Sequence, residues 1–353
     1  MTAKTVCLLR PDKAGDSLKT LPALRALQAA RPDLELHVVC SHHNHSVLEP
    51  EPLAGLHLLS PEWKEIIEET GEPLFASGAP PEHFDIAINL LCDPFPETDA
   101  LLAGISATEK FTASKAAATR ANVHLVSFPR GTPAGADETI NIAGIISQSL
   151  QTDLCRVLPS VPRSPRLLPQ DLEEAEETLG QKHGKWLALC PFAGVKPRNH
   201  PNKRWEAFLT RMTYARWKRF LARITQGGGA YSRYFLFGLP QNAEQLKRMR
   251  RASPLSDSIQ ICFPSSFRAL GAYLKRMDGV VAVDSGPLHL ARSFGLPSLG
   301  FLSGGDQERW FAGRVPGELL LRRGLLDRYP MTWEMVRAFR RWEAASSATG
   351  PGF

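Results

Sequence analysis

Short apolar runs alternate along the chain with longer stretches in which apolar residues recur every third or fourth position. The runs at 5–10, 34–40, 56–59, 84–90 and 107–112 read as strands. Between them, 17–30 carries Leu18, Leu21, Leu24 and Leu27 on one helical face, and 61–69 is an acidic helix. Pro22 places the regular start of the first helix close to it. Residues 137–150 form a further helix, with Ile140, Ala143, Ile146 and Leu150 as its apolar stripe. The pattern then restarts. A charged amphipathic helix at 170–183 precedes strands at 186–191, 234–237, 259–263, 280–283 and, as the last, 298–302. Helices at 205–224, 242–251, 266–276 and 288–294 fall among those strands, and a terminal helix spans 331–345 before a frayed tail.

Strand, helix, strand in the first forty residues predicts a parallel sheet covered by helices on its faces. Pro159, Pro162, Pro165 and Pro169 mark 151–169 as a linker. The expected domains are therefore 1–150 and 170–330, with 331–353 as terminal helix and tail. In open parallel sheets, ligands bind at the carboxyl ends of strands. The loops after the strands at 5–10 and 280–283 are then expected to look into one cleft.

The sharpest local signal is Val280 to Arg292. Four small or β-branched apolar residues suit a buried parallel strand. Asp284-Ser285-Gly286-Pro287 stops it, and Leu288 begins a helix that Gly295 closes. Free backbone N–H groups and the positive helix end then aim at one point, which is an anion site, with His289 in the first turn as a further donor. The same residues also make an ordinary strand-to-helix turn that binds nothing.

Composition narrows the class. The chain has 353 residues, 43% hydrophobic and 22% charged, the profile of a soluble globular protein. No apolar run reaches the ~18 residues of a membrane span. Met1-Thr2-Ala3-Lys4 leads straight into a strand without signal-peptide features, so a cytoplasmic location is expected. The six cysteines are scattered, and those at 7, 40 and 190 read as small buried hydrophobes in a reducing compartment. The net charge of +6 is concentrated in 196–251 and 309–341. It suits anionic lipid or a phosphorylated small molecule better than nucleic acid, because no stacking aromatics are interleaved with it.

Other constellations have two readings each. Asp16, after Gly15, is a carboxylate at a strand end suited to general base work, and it also fits a plain helix N-cap. Lys203 in Lys203-Arg204-Trp205 either neutralises a diphosphate or belongs to a solvated basic turn. Gly304-Gly305-Asp306 either wraps a nucleotide or sugar or is a flexible turn. His42-His43-Asn44-His45 reads as a loop, since neighbouring histidines seldom point at one ion and no partner completes a tetrahedron. Walker A, G-x-S-x-G and dinucleotide-binding patterns are absent, which counts against an ATPase, a hydrolase of that type and a dinucleotide oxidoreductase.

Three segments carry a family resemblance. Residues 8–24, with Arg10, Gly15, Asp16 and Thr20-Leu21-Pro22-Ala23-Leu24, resemble an R-x-x-x-x-G-D signature followed by T-L-P-A-L. Pro191-Phe192-Ala193-Gly194 leads to Lys203-Arg204-Trp205, and Asp284 to His289 matches D-S/T-G-x-x-H. Together they are similar to glycosyltransferase family 9, the ADP-heptose:lipopolysaccharide heptosyltransferases. The resemblance implies an α/β GT-B fold, two Rossmann-like parallel-sheet domains facing a central cleft. It implies an inverting transfer without metal or cofactor, from an ADP-sugar donor to a lipopolysaccharide core acceptor, with peripheral contact to an anionic membrane surface and no nucleic acid. Asp16 is then the base. Lys203, Ser285, Gly286, Pro287, Leu288 and His289 hold the donor diphosphate, and Asp284 orders their turn. A family glutamate after the strand at 234–237 corresponds to Glu244 or, in position, to Asn242. Ser303-Gly304-Gly305-Asp306 departs from the family's frequent G-P-T-D, and 211–233 looks like an expansion. The alternatives are a transferase for another surface glycan and a non-catalytic nucleotide-sugar-binding module.

Overall fold

A computed structural model describes residues 4–126, 137–192, 203–226, 229–302, 310–311, 315–321 and 330–348, the side chains of 203–213 and 347–348 excepted. The chain divides into two compact units, Met1–Arg166 with Glu308–Ala312, and Leu167–Gln307 with Gly313–Phe353.

The first unit is built on seven strands: β1 (Lys4–Arg10), β2 (Leu34–Cys40), β3 (Gly55–Leu59), β4 (Phe75–Ser77), β5 (Phe84–Asn89), β6 (Ala107–Thr112) and β7 (Val123–Leu125). Their order is β4-β3-β2-β1-β5-β6-β7, parallel except for the β3–β4 pair. Val6 faces Leu36 on one side and Ile86 on the other. The last five residues of β1 are buried, as a central parallel strand covered on both faces requires. Helices α1 (Ala14–Ala30), α2 (His45–Leu48), α3 (Trp63–Thr70), α4 (Pro96–Gly104) and α5 (Glu138–Leu150) complete the unit.

The second unit repeats the plan with β8 (Trp186–Cys190), β9 (Arg233–Phe237), β10 (Ile259–Cys262), β11 (Gly279–Val283), β12 (Ser298–Phe301) and β13 (Glu318–Leu321). The order is β10-β9-β8-β11-β12-β13, all parallel. Its helices are α6 (Pro169–Leu179), α7 (Lys203–Ile224), α8 (Ala243–Arg251), α9 (Phe267–Lys275), α10 (Gly286–Ser293) and α11 (Thr332–Ala348). Numbered within each sheet, and leaving β4 aside, both orders read 3-2-1-4-5-6, the doubly wound Rossmann arrangement. The direction of winding reverses between β1 and β5 in one unit and between β8 and β11 in the other. One core gathers Trp63, Phe84 and Leu101 beneath the first sheet; the other gathers Trp217, Phe220, Phe301, Phe339 and Trp342. Edge-to-face contacts of Phe220 with Trp217, Phe301 and Phe339 lock α7 and α11 onto the second sheet.

Three expectations are corrected. Helix α1 begins at Ala14 and runs through Pro22, rather than starting beside it. Proline removes one helical donor and crowds the turn before it, yet α1 is buried on nearly every side and packing outweighs that local cost. On α5 the expected Ala143, Ile146 and Leu150 are buried, joined by Ile142 and Ile145, while Ile140 is exposed. Among the described residues the last strand is β13, not the run at 298–302, and α2, β4, β7 and α4 have no counterpart in the periodicity reading. The Pro-rich stretch before Leu167 is tied to the first unit. Arg25 donates to the carbonyls of Pro162 and Ser164, both at 2.8 Å, and grips the buried Glu51 carboxylate at 2.9 and 2.6 Å.

Candidate functional site

At the carboxyl end of β1 the chain turns through Pro11, Asp12 and Lys13 directly into α1, so Asp16 stands in the first helical turn rather than on a loop. It is not the N-cap. That position belongs to Lys13, whose carbonyl accepts from the N–H groups of Asp16 and Ser17 at 3.1 Å. The backbone of Asp16 is fixed from outside the helix, because its carbonyl accepts from Arg10 Nη2 at 3.3 Å. Its half-buried carboxylate, by contrast, makes no hydrogen bond or ion pair among the described residues.

Arg10 is the hub of this corner and only 1% exposed. It donates to the carbonyl of Leu90, just past β5, at 3.0 Å and pairs with Asp12 at 2.9 Å. Burial by itself lowers the pKa of Arg10, but the carboxylates of Asp12, Asp16 and Glu138 outweigh burial and raise it. Burial lifts Asp12 to about 7 against the pull of Arg10, with Asp16 and Glu138 adding to the rise. Asn44, fully buried, donates to the Arg10 carbonyl at 2.6 Å and to Ser17 Oγ at 2.8 Å, and so clamps β1, α1 and the segment before α2 together. Lys19 reaches Asp137, the N-cap of α5, at 3.0 Å. Motif reading singles out Asp16 and passes over Asp12, Asn44 and Lys19; only Arg10 was visible, as a motif letter without a role.

The corresponding corner of the second unit follows β11. Asp284 continues the ladder through its backbone, its N–H donating to the Phe301 carbonyl at 3.1 Å. No side-chain hydrogen bond ties its carboxylate to the turn among the described residues, and burial raises its pKa to about 6. Ser285 occupies the N-cap of α10, but its hydroxyl turns back to the Val283 carbonyl at 3.1 Å instead of capping. The N–H groups of Leu288 and His289 are taken by the Ser285 carbonyl, at 3.0 and 3.4 Å, and Pro287 has none. Among the described residues the N–H groups of Ser285 and Gly286 are left open to an anion, fewer than an uncapped helix end offers. Gly286 is required by close approach, not by a left-handed backbone: a Cβ there would come within 2.8 Å of Phe267 Cε2. Gly295 does adopt a left-handed φ of 68° and ends the helix. His289 is half-buried in the first turn of α10.

Other expected site residues are less settled. Lys203 begins α7, and its side chain lies outside the described residues. So do the segments 193–202 and 303–309, which hold Ala193-Gly194 and Gly304-Gly305-Asp306. Glu244 sits in the first turn of α8, beyond the carboxyl end of β9, exposed and paired with Lys247 at 2.9 Å, which lowers its pKa. Asn242 closes the preceding turn by accepting from the Leu239 N–H at 3.3 Å. Among the described residues no three His, Cys, Asp or Glu side chains gather to hold a metal ion. The six cysteines are free, all buried but Cys155.

Residues 161–312 match the profile of glycosyltransferase family 9 (heptosyltransferase). No curated protein matches the chain. Among solved structures, a glycosyl transferase family 9 protein from Veillonella parvula is similar over 98% of both chains, with 14% identity and a TM-score of 0.68. The ADP-heptose lps heptosyltransferase II of E. coli is similar over 97% of this chain and 99% of its own, at 12% identity and a TM-score of 0.65. The E. coli heptosyltransferase WaaC with ADP follows at 17% identity, 98% and 99% coverage and a TM-score of 0.59. These likenesses establish the GT-B class of two Rossmann-like units. No described helix is long and apolar enough to cross a membrane.

Proposed function

We propose that this chain is a glycosyltransferase of family 9 and that it moves a heptose or similar sugar from an ADP-activated donor to a lipopolysaccharide core acceptor, with inversion and without a metal; the family profile matched over residues 161–312 supports the reading. The observation that carries the reading is the Asp16 carboxylate. It is held by its backbone in the first turn of α1, just past a central strand, and makes no hydrogen bond or ion pair among the described residues. A general base must be positioned and yet unoccupied, so that it can accept a hydroxyl proton as the acceptor oxygen attacks. Arg10 and Asp12 act through it as positioning residues.

Departure of the donor's diphosphate needs fixed positive potential. The Ser285 and Gly286 N–H groups at the start of α10 supply part of it, and Lys203 adds a full charge. Pro287, Leu288 and His289 shape that turn. Glu244 reaches the donor only by exchanging Lys247 for it. The acceptor lies in a membrane leaflet, and the net charge of +6 suits an anionic surface.

The test is turnover of ADP-heptose with a heptose-deficient core acceptor, followed by released ADP. Asp16→Asn is expected to stop ADP release while donor affinity, measured by calorimetry, stays within about twofold. An Asp16→Asn protein that still turns over removes Asp16 from the chemistry. A wild-type protein that binds donor without releasing ADP overturns the transferase reading itself.

A further inference from the structure

Away from both strand ends, the second unit carries a groove of about 1090 Å³ between the edge strand β13 and the terminal helix α11. Leu319, Leu321, Ala338 and Trp342 give it an apolar lining. Its three acidic residues are already engaged. Asp278 accepts from the Trp186 N–H at 2.7 Å and pairs with Lys182 at 2.8 Å; Glu318 pairs with Arg292 at 2.7 Å; Glu334 accepts from the Met331 N–H at 2.7 Å. The three cations on the same groove are not: the side chains of Lys185, Arg337 and Arg341 find no partner among the described residues. Arg337 and Arg341 follow Trp333 at four-residue steps, so the three share one face of α11. Trp333 is 61% exposed, and Met331 beside it 43%.

An apolar trough, cations without counter-charges and an exposed indole at a helix start complement one kind of surface. Indole rings settle where headgroups meet acyl chains, and basic side chains beside them meet lipid phosphates. We propose that this face docks the protein on an anionic phospholipid surface, with Lys185, Arg337 and Arg341 against phosphates and Trp333 with Met331 among the headgroups. The idea rests on the reading that the acceptor is held in a membrane, and it names the surface that meets that membrane.

Sedimentation of the full chain with phosphatidylcholine vesicles, with and without phosphatidylglycerol, tests it without donor or acceptor. Binding is expected only with phosphatidylglycerol, accompanied by a blue shift of tryptophan fluorescence that Trp333→Ala removes. The double variant Arg337→Gln/Arg341→Gln should bind roughly twenty-five-fold more weakly, about fivefold per cation. The control Lys218→Gln/Arg219→Gln removes the same charge from exposed positions on α7 and should stay within about twofold of wild type. Equal binding to neutral vesicles, equal weakening by the control pair, or displacement by millimolar inorganic phosphate would each overturn the docking face. Unchanged near-ultraviolet circular dichroism shows that the variants fold. Failure here with intact ADP release leaves the transfer reading standing, and the converse also holds.

Discussion

The ends of β1 and β11 hold equivalent places in two sheets of the same winding order, yet they are built differently. The β1 corner is cross-braced. Arg10, Asp12, Asn44, Lys19 and Asp137 tie strand, helix and neighbouring loops with buried polar contacts, and one carboxylate, Asp16, is left over. The β11 corner is more sparsely tied among the described residues. There Asp284 and Ser285 bond to their own strand or the next, and α10 offers two open N–H groups, those of Ser285 and Gly286. On the proposed function, the difference fits two tasks. A side chain that must take a proton needs a rigid support, because misplacement by about 1 Å is costly in rate. A turn that receives a charged ligand needs open donors, and the ligand itself completes the network.

The strongest way to break this contrast is to remove the leftover carboxylate. Asp16→Asn should lower kcat by about a thousandfold, within the usual range for a general base, with little change in melting temperature. Equal losses of stability and rate would make Asp16 one more brace. Next comes the hub. Arg10→Met should destabilise the first unit by about 3–5 kcal/mol, because it strands the Asp12 carboxylate in a buried site. Denaturant unfolding at two pH values sharpens the point. Burial already raises Asp12 to about 7, so below that pH the carboxyl protonates and the variant should recover part of its loss. A loss independent of pH would place the damage in the bonds from Arg10 to the Leu90 and Asp16 carbonyls instead.

How far the sequence revealed these corners follows from how each is made. Continuous buried strands such as β8 and β11 read directly as unbroken apolar runs. The three-residue strands β4 and β7 are too short for any period, and β13 is half-exposed at an edge. The β11 turn was legible because its geometry is local: Asp, Ser, Gly and Pro each have a known preference at that place. The β1 brace was not, since Asn44 lies 34 residues from Arg10 and Asp137 lies 118 from Lys19, and no local pattern marks such pairs. Asp16 stands out by its motif, but its place inside the first turn of α1 does not, because a proline at 22 points to a later helix start than the observed Ala14.

At the sparser corner, Gly286→Ala tests whether the open turn is held by packing alone. The added methyl meets the Phe267 ring at 2.8 Å, so either the ring or the turn shifts. Overpacking of this kind costs about 1–3 kcal/mol. If the turn gives way, the Ser285 and Gly286 N–H groups move and donor affinity by calorimetry should fall about tenfold. Lost stability with unchanged affinity would mean that the ring moved and that these two donors do not set the site.

The smallest effect is the most discriminating, because it has opposite sign to a brace. Asp284 is half-buried without a compensating cation among the described residues, and desolvation raises its pKa from 3.8 to about 6. The folded protein therefore holds this proton more tightly than the unfolded chain does. Any stability gained from the neutral form is complete below pH 3.8 and is lost as pH rises to about 6. At neutral pH the ionised group is a net cost, at most about 3 kcal/mol and nearer 1 after partial solvent screening. Asp284→Asn should therefore melt higher than wild type at pH 7.5, with the advantage shrinking toward zero by about pH 4. Ion-paired Asp12 at the other corner has no such simple sign. A variant that is less stable than wild type at pH 7.5 would mean that Asp284 braces its turn, and the contrast between the two strand ends would be gone.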